Sequence, residues 1–311
     1  MLAPDKKFLT KKTAGEKILH NTRNRWSSQT SESMMRNGIL WQHGKKTIDD
    51  YSVHNYHALR IALGKLTIQE QSFFNTLSQA PFYAVHCTDS LDVVNKNNDL
   101  ILYSRKKLIS KGIRFNADNT QPIDISMLGN DGYVFFSLEV GSPLLKSSSR
   151  FGSIFYKIAY SHPVFRNSSL VLTDQVALVM PRCHIPELSR EAVSLLEKRA
   201  FNRLSIIFNG KMLSILGLTY SIISDCRSLP PADQKIILSA RNNAQLSNVV
   251  NSFFRPEIRV PKMVGIKSDE YAIHMEHYKP RMSSSSSSDS DEGAYGSDFF
   301  GSGSDSSEAE D

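Results

Sequence analysis

The sequence predicts an α+β fold, in which helices and strands occupy separate stretches of the chain. Apolar residues three and four apart between residues 59 and 74 indicate helix. Short aromatic and β-branched segments follow between residues 82 and 174, then helical patterns over 187–225 and 232–254, and a last strand near residue 257. Because helices do not alternate with the strands, this order argues against a parallel βαβ sheet.

Four segments in the middle of the chain have the composition of strands. They are Phe82-Tyr-Ala-Val-His-Cys, Gly132-Tyr-Val-Phe-Phe-Ser-Leu-Glu-Val, Ile154-Phe-Tyr-Lys-Ile-Ala-Tyr and Ser169-Leu-Val-Leu-Thr-Asp. A fifth, Glu257-Ile-Arg-Val, lies between two prolines. In the second segment, alternation places Tyr133, Phe135, Ser137 and Glu139 on one face of the sheet and Val134, Phe136 and Leu138 on the other.

Two helical regions separate these strands from the fifth. Residues 187–204 carry acidic residues early and Lys198-Arg199 late, which suits the dipole of a helix. Residues 232–254 predict one further helix.

Composition divides the chain into three parts. Residues 1–48 form a polar leader that we expect to be mobile, 49–282 form the folded body, and 283–311 form an acidic, serine-rich tail that we expect to be disordered. The tail holds eight acidic residues and no lysine or arginine, so residues 1–282 carry 37 basic and 23 acidic residues, a net charge of +14. A body this basic attracts anionic partners.

Several classes of protein are disfavoured by the sequence. The three cysteines, Cys87, Cys183 and Cys226, are far apart and form no C-x-x-C motif, so neither a disulfide framework nor a zinc site is indicated. The N-terminus lacks the apolar region of a cleaved secretory signal, although a polar leader is compatible with a non-cleaved export signal. No apolar run approaches the roughly 18 to 20 residues of a membrane-spanning helix.

Phosphate-binding loops of the usual kinds are missing, and the candidate site residues are instead isolated polar groups. Neither G-x-x-x-x-G-K-[ST] nor G-x-G-x-x-G occurs in the body. His86 is either a structural histidine or a hydrogen-bonding group for a ligand hydroxyl. Glu139 and Glu257 are either ion-paired strand residues or functional carboxylates, and Asp174 is either a helix cap or a functional acid.

Taken together, these segments resemble the ADP-ribosyltransferase fold, and more closely the enzymatic domain of the OspC/CopC type III secreted effectors. The resemblance spans residues 82–263 and rests on the order of five short segments. They are Phe82-Tyr-Ala-Val-His86-Cys-Thr, Gly132-Tyr-Val-Phe-Phe-Ser-Leu-Glu139, Phe151-Gly152, Leu170-Val-Leu-Thr-Asp174 and Glu257-Ile-Arg-Val-Pro-Lys-Met. Arg259 stands where that family has a histidine two residues after its late glutamate.

The resemblance implies an α+β fold with a split β core, N-terminal and inserted helices and disordered termini. It implies a catalytic domain over residues 49–282 that uses NAD as co-substrate and transfers ADP-ribose, or performs arginine ADP-riboxanation, on a host protein. The residues expected to bind NAD are His86, Thr88, Phe136, Ser137, Arg150 and Phe151, and those expected to act in catalysis are Glu257, Glu139 and Asp174.

The same resemblance predicts a secreted effector that acts in the host cytosol, where a host activator protein is a further possible partner. The competing hypothesis is a non-enzymatic nucleic-acid- or membrane-binding protein with an autoinhibitory acidic tail. The sequence does not favour nucleic acid, because it carries no recognisable RRM, KH or helix-turn-helix signature and its Lys and Arg residues do not form a stripe.

Overall fold

An antiparallel sheet of seven strands is the centre of the fold. It is seen in a computed structural model that describes residues 48–117, 130–142, 149, 151–172, 180–199 and 207–275. The order of strands across the sheet is β6-β5-β7-β3-β1-β4-β9, and every neighbouring pair is antiparallel. The bounds are β1 Phe82–Thr88, β3 Tyr133–Val140, β4 Ile154–Ala159, β5 Ser169–Val171, β6 Ile207–Asn209, β7 Glu257–Pro261 and β9 Tyr271–Met275.

Two further strands form a small sheet beside the large one. They are β2 Leu100–Tyr103 and β8 Met263–Ile266, paired antiparallel. The described residues also contain seven α-helices: α1 Ile48–Leu63, α2 Ile68–Ser78, α3 Arg105–Ser110, α4 Arg190–Lys198, α5 Lys211–Cys226, α6 Pro231–Leu238 and α7 Asn243–Phe253. The predicted mixed α+β class is therefore confirmed.

One face of the large sheet packs against the helices and forms the core. Alternate residues of the central strands, such as Ala84 and Phe136, are buried there together with side chains of α5 and α7. Gly217 lets α5 approach closely, because a Cβ at this position would lie 2.4 Å from the ring of Phe208 on β6. The predicted alternation of the Tyr133–Val140 strand is confirmed, since Val134, Phe136 and Leu138 lie in this core.

Local end signals explain where the predicted helices break. The pattern between residues 59 and 74 belongs to two helices, because Gly64 takes a φ of +60° and Thr67 begins α2 with a capping box to Glu70. The single helix expected over 232–254 is wrong. Asn242 caps α7 with a second capping box, so one helix ends with α6 and a new helix begins at α7.

Two other expectations from the sequence need correction. The region 187–225 is mainly helical, but it also contains the strand β6, whose Asn209 pairs with Ser169 at the edge of the sheet. The strands β2, β8 and β9 were not predicted. β8 is only four residues long and contains Gly265, and β9 is largely exposed, so neither gives a clear strand signal in the sequence.

Candidate functional site

The ladder between β1 and β3 ends inside the sheet, and we call this place the opening. The last pair of the two strands joins Val85 to Ser137. Beyond it, β1 stays paired with β4 as far as Thr88, and β3 stays paired with β7 as far as Tyr133. The two halves of the sheet are therefore joined through β1 and β3 only up to Val85 and Ser137.

His86 is the first residue of β1 beyond that last pair. Its Nδ1 lies 2.9 Å from the carbonyl oxygen of Phe135, and its ring centroid lies 5.5 Å from that of Phe136. Burial lowers the pKa of His86, and the hydrogen bond to Phe135 opposes this only in part. At pH 7 the imidazole is therefore mainly neutral, with Nδ1–H donating to the carbonyl and Nε2 acting as an acceptor.

The end of β1 is in close contact with the turn that precedes β4. Gly152 has a φ of +145°, and a Cβ added there would lie 2.1 Å from the carbonyl carbon of Thr88. Asp89 accepts hydrogen bonds from the backbone amide and the hydroxyl of Ser153, at 2.9 and 3.3 Å. This places Phe151, whose side chain is partly exposed, beside the opening. Of the predicted site residues, the structure thus places Phe151 one residue before the glycine that contacts Thr88, and Thr88 two residues after His86 on β1.

The remaining predicted residues that the structure describes lie on two different faces of the sheet. Phe136 is on the helix-packed face with His86. Ser137, Glu139 and Glu257 lie on the opposite face, because Ser137 is the cross-strand partner of Glu257 and Glu139 follows two residues later on the same strand. The predicted NAD-binding residues are therefore not on one continuous surface of the sheet.

Glu139 is held in a buried ion pair. Its Oε2 lies 3.2 Å from Nζ of Lys157 on β4, and both side chains are under 10% exposed. The same ammonium lies 4.8 Å from the ring centroid of Tyr83, in a cation–π contact. Sequence reasoning missed Lys157, although a single charge inside the apolar segment Ile154-Phe-Tyr-Lys-Ile-Ala was a signal that a partner carboxylate lay nearby.

Glu257 is paired with Arg259 on the same strand. The guanidinium reaches Oε1 of Glu257 through Nε at 3.1 Å and Nη2 at 3.0 Å. Arg259 is buried and also lies over the ring of Phe135, 5.5 Å from its centroid, whereas the Glu257 side chain is one-third exposed. An ion pair is one of the two interpretations that the sequence leaves open for Glu257. The ion pair holds the carboxylate of Glu257 in place, and the side chain stays accessible to solvent.

Other predicted residues cannot be placed. Arg150 and Asp174 lie outside the described residues, so their roles remain predictions. Within the described ranges, no group of three or more His, Cys, Asp or Glu residues is arranged to hold a metal ion. No helix in that part of the chain is both long and apolar enough to cross a membrane.

Comparison with known proteins gives no family assignment: no family model matches the chain, and no curated protein matches it significantly.

Proposed function

We propose that this chain transfers ADP-ribose from NAD to a protein side chain. The observation that carries the proposal is the position of the opening. The Val85–Ser137 pair that ends the ladder continues across β3 to Glu257, and His86 follows directly. The histidine, serine and late glutamate that the resemblance to ADP-ribosyltransferases singles out therefore lie at or next to the last pair of the ladder, with His86 on one face of the sheet and Ser137 and Glu257 on the other.

The geometry supports separate tasks for His86 and Glu257. The neutral ring of His86 offers Nε2 as an acceptor for a ribose hydroxyl, while its Nδ1–H is occupied by the carbonyl of Phe135. Arg259 donates two hydrogen bonds to Oε1 of Glu257 and so orients its carboxylate. A fixed negative charge stabilises the oxocarbenium character that develops on the ribose when its bond to nicotinamide breaks.

The proposed reaction exchanges one bond for another at the ribose. The bond between C1′ and the nicotinamide nitrogen breaks, and nicotinamide leaves with the bonding electron pair. A nucleophilic atom of the acceptor side chain then bonds to C1′ and loses a proton to a base or to solvent. Asp174 stays a candidate for this base. Glu139 lies on the same face of the sheet as Glu257 but is buried against Lys157, which favours a role in positioning its neighbours over a role in the reaction.

The acceptor is proposed to be a host protein in the cytosol, with the polar leader serving in export. Plain ADP-ribosylation of arginine and ADP-riboxanation leave different masses, because the second reaction also loses ammonia. Mass spectrometry of modified peptides therefore separates the two reactions that the resemblance implies.

The test is NAD-dependent labelling of lysate proteins by the full chain, measured by mass spectrometry. We expect Glu257→Gln to lower the labelling rate roughly 100- to 1,000-fold, the loss typical when a transition-state charge partner is removed. His86→Ala is expected to weaken NAD binding in isothermal titration calorimetry, because the ribose loses its acceptor.

Glu191→Gln is the matched control, since Glu191 is an exposed glutamate on α4 away from the opening. It should label at the wild-type rate. Circular dichroism must show the wild-type fold for each variant. The proposal fails if the folded wild-type chain neither binds NAD nor labels any protein, and the site assignment fails if Glu257→Gln labels as fast as wild type.

A further inference from the structure

The outer face of the β2–β8 sheet is apolar and partly exposed. Leu102 and Val264 point into the core, so the alternate residues point away from it. Tyr103 is paired with Met263 and Ile101 with Gly265 on this outer face, and 44% of Met263 is exposed. Gly265 adds no side chain to this face, and Cδ1 of Ile101 lies 3.7 Å from the place that a Cβ of residue 265 would take.

Three exposed lysines lie on the segments next to this apolar face. Nζ of Lys111 lies 5.2 Å from the ring centroid of Tyr103, which fixes the end of α3 against the sheet. Lys107 lies one helical turn before Lys111, since its carbonyl accepts the Lys111 amide. Lys262 precedes Met263 and is exposed in a left-handed conformation with a φ of +69°. We call Tyr103, Met263, Lys107, Lys111 and Lys262 together the basic corner.

Acidic residues near the basic corner are already bound to other cations. Residues 100–117 contain five lysine or arginine residues and no aspartate or glutamate. Asp131 lies 3.1 Å from Nζ of Lys106, and Asp99 lies 3.1 Å from Nζ of Lys267. The basic corner therefore presents positive charge around an apolar centre, and the described acids beside it are paired with cations outside it.

The basic corner also adjoins the opening. The Lys262 amide donates to the carbonyl of Gly132, the residue just before β3, and the Lys262 carbonyl accepts from the Ser104 amide. A partner held here would lie at the end of the sheet where β1 and β3 are no longer paired.

We propose that the basic corner binds an acidic segment of the protein substrate, with an apolar side chain of that segment seated on Tyr103 and Met263. Charge complementarity and the exposed apolar centre carry this inference. Its purpose, to present the substrate to the opening, rests on the proposed function. The binding itself needs no NAD and is tested without it.

The probe is a fluorescein-labelled 15-residue peptide of Asp and Glu with single Phe and Leu residues, measured by fluorescence anisotropy with the full chain. The triple variant Lys107→Gln, Lys111→Gln, Lys262→Gln should weaken binding roughly 10-fold or more, as expected for the loss of three exposed ion pairs. Met263→Ser should weaken it a further several-fold, and raised salt should weaken the wild type.

Two matched controls separate this surface from the general charge of the body. The triple variant Lys198→Gln, Lys211→Gln, Lys235→Gln removes the same charge from exposed lysines on α4, α5 and α6. Met212→Ser changes a methionine that is 71% exposed on α5. Both controls should bind the peptide as wild type does, and equal weakening in the control triple would overturn the proposal.

Competing probes test the class of partner. Vesicles containing phosphatidylserine, and a duplex oligonucleotide, should each bind more weakly than the peptide at physiological salt. The assignment to a protein segment would be overturned if the vesicles or the duplex bound more tightly than the peptide and the triple variant at Lys107, Lys111 and Lys262 lost that binding. If the peptide binds at the basic corner while NAD neither binds nor reacts, the surface stands and the proposed function fails.

Discussion

The ion pair between Glu139 and Lys157 offers the sharpest test of what a predicted catalytic carboxylate does. Replacing Glu139 by Gln removes its charge with little change in shape. The ammonium of Lys157, only 3% exposed, then stays buried without its carboxylate partner. We expect a large loss of stability, because a buried charge that loses its counter-charge retains the cost of desolvation.

The geometry sets the scale of that loss. At the observed Nζ–Oε2 distance of 3.2 Å, the Coulomb attraction is about 5 kcal/mol for an effective dielectric constant of about 20. Experience with broken buried pairs gives a loss of about 3 to 5 kcal/mol. The cation–π contact of Lys157 with Tyr83 remains and reduces the loss, so we expect Glu139→Gln to lower the free energy of unfolding by about 3 kcal/mol.

The assay is a double-mutant cycle on urea unfolding, followed by circular dichroism. Lys157→Met should also lower the free energy of unfolding by about 3 kcal/mol, because it removes the ammonium that pairs with the buried carboxylate of Glu139. The double variant should lose clearly less than the two single losses added together, with a coupling energy of about 2 kcal/mol or more. Glu270→Gln serves as the control, because the Glu270 side chain is 43% exposed where it contacts His162; it should change the urea midpoint far less.

The same variants separate structure from chemistry. If Glu139 positions Lys157 and its strand, the double variant Glu139→Gln, Lys157→Met should regain transferase activity along with stability. Activity that stays lost in a stable double variant would show that the Glu139 carboxylate acts in the reaction. Additive losses in the cycle would refute the reasoning about the buried pair.

Three further outcomes are expected. Gly152→Ala should destabilise the fold by about 1 to 3 kcal/mol, because the new Cβ meets the backbone of Thr88 at a left-handed φ; an unchanged melting temperature would contradict the close approach. The Arg227 guanidinium beside Glu70 holds the pKa of that carboxyl below its ordinary value of 4.5. The protein should therefore lose stability as the pH falls below about 4.5 and through the lower pKa that Glu70 has in the folded state. In acid unfolding curves, Glu70→Gln should make the free energy of unfolding depend less on pH over this range. Burial raises the pKa of the Cys226 thiol to about 12, so iodoacetamide at pH 8 should modify it only after unfolding, and rapid labelling of the native protein would contradict its burial.

Strong local patterns made much of the fold predictable from the sequence. The alternation of Tyr133–Val140 fixed which side chains enter the core, and the five predicted strand segments are strands in the structure. The break between α6 and α7 was readable in principle, since Asn242 and Gln245 form a capping box. The strand β9 was not readable, because its side chains are largely exposed and carry no periodic signal.

The candidate site was less predictable than the fold, because its partners come from distant parts of the chain. The pairing of Glu257 with Arg259 was readable in principle, because the two residues lie two positions apart on one strand. The pairing of Glu139 with Lys157 depends on the order of strands, in which β1 separates the two that carry them. Phe136 and Ser137, both expected to bind NAD, face opposite sides of the sheet, as the alternation of the strand already predicted.

The position of β7 has a consequence for how the protein is made. This strand lies between β5 and β3, so it joins the β6-β5 pair to the β3-β1-β4-β9 group, yet it is among the last strands synthesised. Until residue 261 has left the ribosome, β5 and β3 each keep an unpaired edge, which invites association between nascent chains. We therefore expect truncation before Glu257 to yield aggregates, with Glu257 itself reaching the opening only in the step that joins β5 to β3.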